Sequence, residues 1–254
     1  MSEPNIVALS GGKDSTAMAL RLAEVEHDVP AEYIITPTGD ELPEMLDHWR
    51  RLEELLGKPI KRLDAPTLAV LTDEQNALPN FHQRWCTRLI KIEPCEQYLQ
   101  TADGVLCVGL RADEPTRIGA VYGDAIQTRT PLREWGWGIN EVLDYLDKRG
   151  VSIPHRTDCA RCFFQRIGEW YRLWAAHPWT FEDAVKDEER LQNTLRTPGK
   201  DSWPTRLKEM REAFQMGRKP EEAKKRQGAK GQGALYDLRG LGVEEYGGCR
   251  VCSL

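Results

Sequence analysis

Residues 10–15 read Ser-Gly-Gly-Lys-Asp-Ser and follow directly on the apolar run Val7-Ala8-Leu9. Gly11 and Gly12 give a backbone that turns tightly and approaches a ligand closely. Ser10 and Ser15 add hydroxyl donors, and Lys13 adds charge. A helix starting near Asp14 would direct its free N–H groups and positive dipole end into the same loop, which favours an anion. The chemistry suggested is phosphate binding; the plainer alternative is a glycine turn with a Ser/Asp helix cap. The spacing is not that of the nucleotide P-loop, Gly-x-x-x-x-Gly-Lys-Ser/Thr.

The cysteines form the second reactive set. There are 7, an odd number, and no export signal is visible, so a disulfide framework is not expected. Cys159 and Cys162 make one Cys-x-x-Cys pair, Cys249 and Cys252 another. Such a pair suits zinc or iron and can also form a redox disulfide. Two pairs together could make a four-cysteine site. Cys95 and Cys107 lie in apolar surroundings and read as inert core residues.

Alternating strands and helices would position these groups. Strands are expected at Asn5–Leu9, Ala31–Thr36, Pro59–Leu63 and Gly104–Leu110. Helices are expected at Asp14–Glu26, with Ala17, Leu20 and Leu22 on one face, and at Pro43–Leu56 and Thr87–Leu99. This alternation predicts an α/β fold, a parallel sheet flanked by helices. Ligands bind beyond the carboxyl ends of such strands, which is where the 10–15 loop falls. From about residue 151 the pattern turns helical: Phe163–Ala176, Thr180–Leu195, Pro204–Met216 and Pro220–Arg226, with no further strand. The expected division is therefore a nucleotide-binding α/β domain over 1–150 and a helical cap over 151–254. That cap would carry both Cys-x-x-Cys pairs, a glycine hinge at 228–233 and a flexible tail. Trp170, Trp174 and Trp179 read as core of the cap rather than a base-stacking platform. Residues 206–230, where Lys and Arg outnumber Glu, read as a solvated helix face or a strip that meets nucleic-acid phosphates. His155 and His177 show no ligand pattern.

Ser-Gly-Gly-Lys-Asp-Ser resembles the pyrophosphate-binding (PP) loop of the adenine nucleotide alpha hydrolase superfamily. Four further stretches, in order, resemble its phosphoadenosine phosphosulfate (PAPS) reductase family. They are TGDELPE at 38–44, RWCTRLIKIEP at 84–94, VGLRADEPTR at 108–117 and TPLREWGWGINEVLDYLDKRGVSIP at 130–154. The resemblance covers roughly residues 5–165 and implies a Rossmann-like fold. It implies a nucleotide, ATP or an adenylyl sulfate with magnesium, bound by Ser10, Gly11, Gly12, Lys13, Asp14, Ser15, Thr38, Gly39, Asp40, Lys91, Arg111 and Arg117. The arginines would grip phosphate or sulfate bidentately, though solvated surface residues are the plain alternative for each cation. Asp14, Cys249 and Cys252 are the candidate catalytic residues.

Cluster-bearing members of the family carry a Cys-Cys pair at the segment of Cys86 and a Cys-x-x-Cys further on. Here Trp85 stands in place of the first cysteine. The resemblance therefore implies Cys86, Cys159 and Cys162 as ligands of a 4Fe-4S cluster, with Cys249 or Cys252 as the fourth or the corner left open for sulfur. Zinc, or a redox or structural role, remains the alternative. The family's C-terminal Glu-Cys-Gly-Leu-His tail is absent and the chain closes on Cys-Arg-Val-Cys-Ser-Leu. Two functions follow: ATP-dependent sulfur transfer, with a sulfur donor and a nucleic-acid acceptor as in DNA phosphorothioation proteins, or reduction of a sulfonucleotide with a thioredoxin-like reductant. A non-catalytic, nucleotide-gated subunit is a third reading. The chain has 254 residues and a net charge of −5, which argues against a wholly basic nucleic-acid binder. No apolar run reaches membrane-spanning length and residues 1–5 do not resemble a signal peptide, so a cytoplasmic protein, alone or oligomeric, is expected.

Overall fold

Strand β1 (Asn5–Ala8) is buried along its whole length, as a central strand covered on both faces must be. In the computed structural model it pairs in parallel with β2 (Ala31–Ile35) on one side and β4 (Val105–Cys107) on the other. β3 (Ile60–Arg62) and the two-residue β5 (Thr128–Arg129) complete a parallel sheet in the order β3-β2-β1-β4-β5. The structure describes residues 3–123, 126–197 and 201–220. They fall into two compact units, a sheet unit over 3–70 and 85–159 and a helical unit over 71–84 and 160–220.

Alternation along the strands builds two cores in the sheet unit. Val7, Leu9, Tyr33, Ile35 and Cys107 pack with α1 (Lys13–Val25), α2 (Pro43–Leu56) and, further along the chain, α6 (Ile139–Lys148). Ile6, Ala8, Ile34, Leu106 and Val108 pack on the other face with Cys95 and Leu99 of α4 (Glu93–Leu99). Helix α1 is buried on more than the one expected face: Ser15 to Leu20 are all buried, because α1 packs against α2, α5 (Pro131–Glu134) and α6 as well as facing the sheet core.

Several boundaries differ from expectation, each for a local reason. The helix expected at 87–99 opens as a π-helical turn, Thr87–Ile92. Pro94 has no N–H to return to the carbonyl four residues earlier, and the wider turn accommodates that gap. The strand expected at 104–110 ends at Cys107. A helix α3 (Leu68–Gln75), the strand β5 and the helices α5 and α6 were not expected; β5 is too short for any period-two pattern to show.

In the helical unit, α7 runs from Ile167 to Ala176, not from Phe163. The Glu169 carboxylate accepts the Arg166 N–H at 2.8 Å and fixes the start. Phe163 and Phe164 instead stack with Phe81. Helix α8 (Pro178–Leu191) stops at Gln192, whose φ of 50° is left-handed. Helix α9 covers Leu207–Gln215. Trp170 and Phe181 fill the core, and Trp174 packs on Phe214. Trp179 corrects the expectation of three core tryptophans: it is 83% exposed at the start of α8, where Phe181 takes the inward position. The expected helix over 220–226, apart from Pro220, and the glycine hinge at 228–233 lie outside the described residues. Among the described residues no strand follows β5 and no helix is long and apolar enough to cross a membrane.

Candidate functional site

The strand order reverses at β1: β2 lies to one side, β4 to the other. Loops leaving the carboxyl ends of β1 and β4 flank that switch point, the preferred ligand crevice of an open α/β sheet. The first is the 10–15 loop. Gly11 adopts φ +76°, and a methyl there would stand 1.8 Å from the Met45 methyl and 2.7 Å from Trp49 Nε1. Only glycine meets both demands. Gly12 is the N-cap of α1 and offers no side-chain cap. The first-turn N–H groups, which have no carbonyl partner inside a helix, are left for an external anion.

The two serines bond within the loop. The Ser10 and Ser15 hydroxyls are joined to each other at 3.0 Å, Ser15 Oγ accepts the Ser10 N–H at 3.2 Å, and it lies 3.2 Å from the Gly12 carbonyl as donor. In this arrangement they brace the loop. Lys13 lies 3.8 Å from Asp14.

The loop after β4 closes on the first. Gly109 sits so near the start of α1 that a methyl there would meet the Ser15 amide nitrogen at 3.0 Å. Arg111, only 3% exposed, sends Nη1 to Asp14 at 3.0 Å, Nε to Asp113 at 2.9 Å and Nη2 to Glu114 at 3.1 Å. Burial alone would disfavour its charge; the three carboxylates outweigh that and hold the guanidinium firmly protonated. Each of its nitrogens faces a carboxylate, so gripping a phosphate would mean exchanging one of them. Arg117 pairs with Glu114 at 2.9 Å. Arg133, missed from sequence, donates to the carbonyls of Arg111 (3.2 Å), Glu114 (2.7 Å) and Arg117 (2.7 Å). Asp113 accepts the Ile139 N–H at 3.0 Å. These bonds tie the 111–117 loop to the 131–139 stretch, and the signal available in sequence was the arginine in Thr-Pro-Leu-Arg-Glu-Trp.

At the end of β2, Thr38, Gly39 and Asp40 form the expected turn. Its donors are taken by Glu41, another residue the sequence reading passed over: the carboxylate accepts Thr38 N–H and Oγ1–H at 2.6 Å each and Gly39 N–H at 3.0 Å. Lys91 lies on the π turn, half-buried. His48 was also missed. It is buried on α2, with Nε2 3.4 Å from Thr16 Oγ1.

Cys86 immediately precedes the π turn. Cys159 ends the sheet unit, its carbonyl accepting from Arg156 Nε at 2.9 Å, and Cys162 belongs to the helical unit. Cys249 and Cys252 lie outside the described residues. No disulfide joins the five described cysteines. Among the described residues no three His, Cys, Asp or Glu side chains gather to hold a metal ion. Burial pushes the Cys95 thiol up to about 11 and the Cys107 thiol up to about 12, consistent with inert core cysteines.

Residues 4–171 match the phosphoadenosine phosphosulfate reductase domain. The chain belongs to the PAPS reductase domain family. The match spans all five strands and both loops of the switch point. A curated relative, argininosuccinate synthase of Bacillus pumilus, is 29% identical over 123 residues; these are 44% of this chain and 28% of the relative, so the chain spans well under a third of that protein. Among solved structures, the PAPS reductase of Candida auris in a phosphate complex is similar at TM-score 0.48 and 15% identity, covering 59% of this chain and 74% of that one. The U34-tRNA thiolase NcsA of Methanococcus maripaludis, with its 4Fe-4S cluster, is similar at TM-score 0.48 and 16% identity over 75% of this chain and 73% of its own. Membership of the PAPS reductase family rests on the sequence match, not on these likenesses.

Proposed function

We propose that this PAPS reductase family member binds ATP or an adenylyl sulfate on the 10–15 loop and transfers sulfur by cysteine chemistry. One observation carries the reading: an uncapped helix start with a glycine N-cap lies at the sheet's switch point, braced by its own serines. Backbone N–H groups of Lys13, Asp14 and Ser15 would hold the phosphates, and Lys13 would add charge. Asp14 bonds Arg111 and so couples the first turn of α1 to the second loop. A magnesium ion accompanying ATP would offset the surrounding carboxylates.

In the ATP reading, an acceptor oxygen attacks the α-phosphorus, the bond to the β-phosphate breaks and pyrophosphate leaves. A sulfur nucleophile from the donor then displaces AMP and leaves sulfur on the acceptor, with nucleic acid as the acceptor class. Family membership favours a second reading. There a thiolate of Cys249 or Cys252 attacks the sulfur of an adenylyl sulfate and expels the nucleotide. A second thiol, from this chain or a thioredoxin-like reductant, attacks the resulting S-sulfonate, releasing sulfite and forming a disulfide. Cys86, Cys159 and Cys162, with Cys249 or Cys252 as the fourth, are the proposed ligands of a 4Fe-4S cluster or zinc, on their match in type and spacing to cluster-bearing members of the family.

Protein purified without oxygen, analysed for iron and sulfide and then incubated with ATP or adenylyl sulfates, tests the reading. AMP and pyrophosphate from ATP support sulfur transfer, and sulfite from an adenylyl sulfate supports reduction. Neither product, with nucleotide still bound, leaves a nucleotide-gated subunit.

A further inference from the structure

The buried face of α2 reads Met45, His48, Trp49 and Leu52. Three of these suit an apolar core; His48, at 5% exposure, does not unless its ring finds partners. Both partners lie outside α2 and bracket one loop. The Thr16 hydroxyl is 3.4 Å from Nε2, and the Gly11 backbone acts on the ring as a hydrogen-bonding group. Gly11 opens the glycine turn and Thr16 follows its last residue. The tautomer that satisfies both has a ring N–H donating to the Gly11 carbonyl and Nε2 accepting from Thr16.

The same helix meets the loop by contact. The Cα of Gly11 lies against the Met45 methyl and Trp49 Nε1, close enough to leave no room for a Cβ. The Trp49 indole N–H has no hydrogen-bond partner among the described residues, so of the polar groups beneath Gly11 it is the imidazole that bonds the loop. Burial drops the His48 pKa to about 4, so the ring stays neutral near pH 7 and keeps one donor and one acceptor.

We propose that His48 is a positioning residue: its two hydrogen bonds hold Gly11 in the left-handed turn that presents the first N–H groups of α1 to phosphate. It need not touch the ligand. Nothing in the local pattern of α2 calls for histidine at this position, and leucine would fill an apolar face.

The test uses the full chain. His48→Leu removes both bonds, and His48→Gln keeps a donor and an acceptor. His48→Met, unbranched and adaptable, repeats the test should the leucine variant not fold. Amide hydrogen exchange of residues 11–16 is followed without ligand, beside titration with ATP and with inorganic pyrophosphate. The expected result is about tenfold faster exchange at 11–16 in the apolar variants, the size of one lost hydrogen bond. Exchange in β2 and β4 should be unchanged and the Gln variant close to wild type. Affinity for both probes should fall by a similar factor and recover in the Gln variant. Wild-type exchange at 11–16 in the Leu or Met variant would overturn the proposal, as would a Gln variant that behaves like Leu. The affinity arm rests on the nucleotide reading above. The ligand-free exchange arm does not, so the two fail separately.

Discussion

His48 in the sheet unit and Glu188 in the helical unit are both buried and titratable, and they are satisfied in opposite ways. Glu188 accepts N–H groups from Leu195 and Leu207 at 2.8 Å each, closing turns of its own unit. Arg196 does likewise, holding Asp201 at 2.5 Å and the carbonyls of Trp203 and Pro204. On α9, Lys208 pairs with Glu189 and Arg211 with Glu182. Two of the five cations in the described part of the basic strip, Lys208 and Arg211, are therefore engaged by the unit's own carboxylates. In the sheet unit, His48, Ser15, Arg111 and Arg133 are instead spent on two loops at the start of α1, whose glycine N-cap makes no side-chain cap bond. The difference teaches where ligand chemistry belongs: where polar side chains shape a backbone whose own donors stay available.

Breaking the Arg111 hub should have the largest effect. Arg111→Met leaves Asp14, Asp113 and Glu114 around an apolar side chain, and removing one member of a buried charge set destabilises by about 3–5 kcal/mol. Partial exposure of Asp113, at 39%, puts the expectation at the lower end. Urea unfolding should show the loss, and unchanged stability would mean the hub is dispensable.

Acid should separate the two units next. The folded pKa of His48, about 4, lies below its ordinary value of 6.5, so the unfolded chain binds the extra proton. Its contribution is fully present above pH 6.5 and is lost as pH falls toward 4, about 3 kcal/mol in all. Burial raises the Glu188 pKa above 4.5, so its cost is present at neutral pH and fades as pH falls through the folded value. Unfolding followed from pH 7 to 4 should show a flatter acid loss than wild type in His48→Gln and a steeper one in Glu188→Gln.

Glu188→Gln keeps one acceptor for the two N–H groups and should destabilise by about 1–2 kcal/mol while leaving ATP affinity unchanged. The smallest effect is expected from Lys208→Gln with Arg211→Gln, which should leave stability nearly unchanged because exposed ion pairs contribute little, without change in affinity for a single-stranded oligonucleotide. A sharp drop in that affinity would return α9 to the functional account.

Much of this was legible in the sequence because it is periodic or local. The strand-helix alternation gives the parallel sheet, and Ser-Gly-Gly-Lys-Asp-Ser sits on the strand-to-helix boundary that phosphate binding requires. What escaped was tertiary. His48 and Arg133 act on residues 37 and 22 positions away at most, and nothing next to them in the chain marks that reach. Ser15 and Arg111 were read as ligand groups from their types; the loop and carboxylate partners the fold gives them could not be read from the chain. Trp179 was misplaced because a cluster of tryptophans does not say which one faces inward.

The central claim is that nucleotide phosphates sit on the 10–15 loop. Gly12 tests it most directly, because its φ of −72° and ψ of 166° suit any residue, so a side chain there crowds the helix start without straining the backbone. Calorimetric titration of ATP into wild type and Gly12→Val is the measurement. The account predicts saturable binding to wild type and at least a hundredfold weaker binding to the variant, roughly 3 kcal/mol, with equal thermal stability. Equal ATP affinity in the two proteins would contradict it.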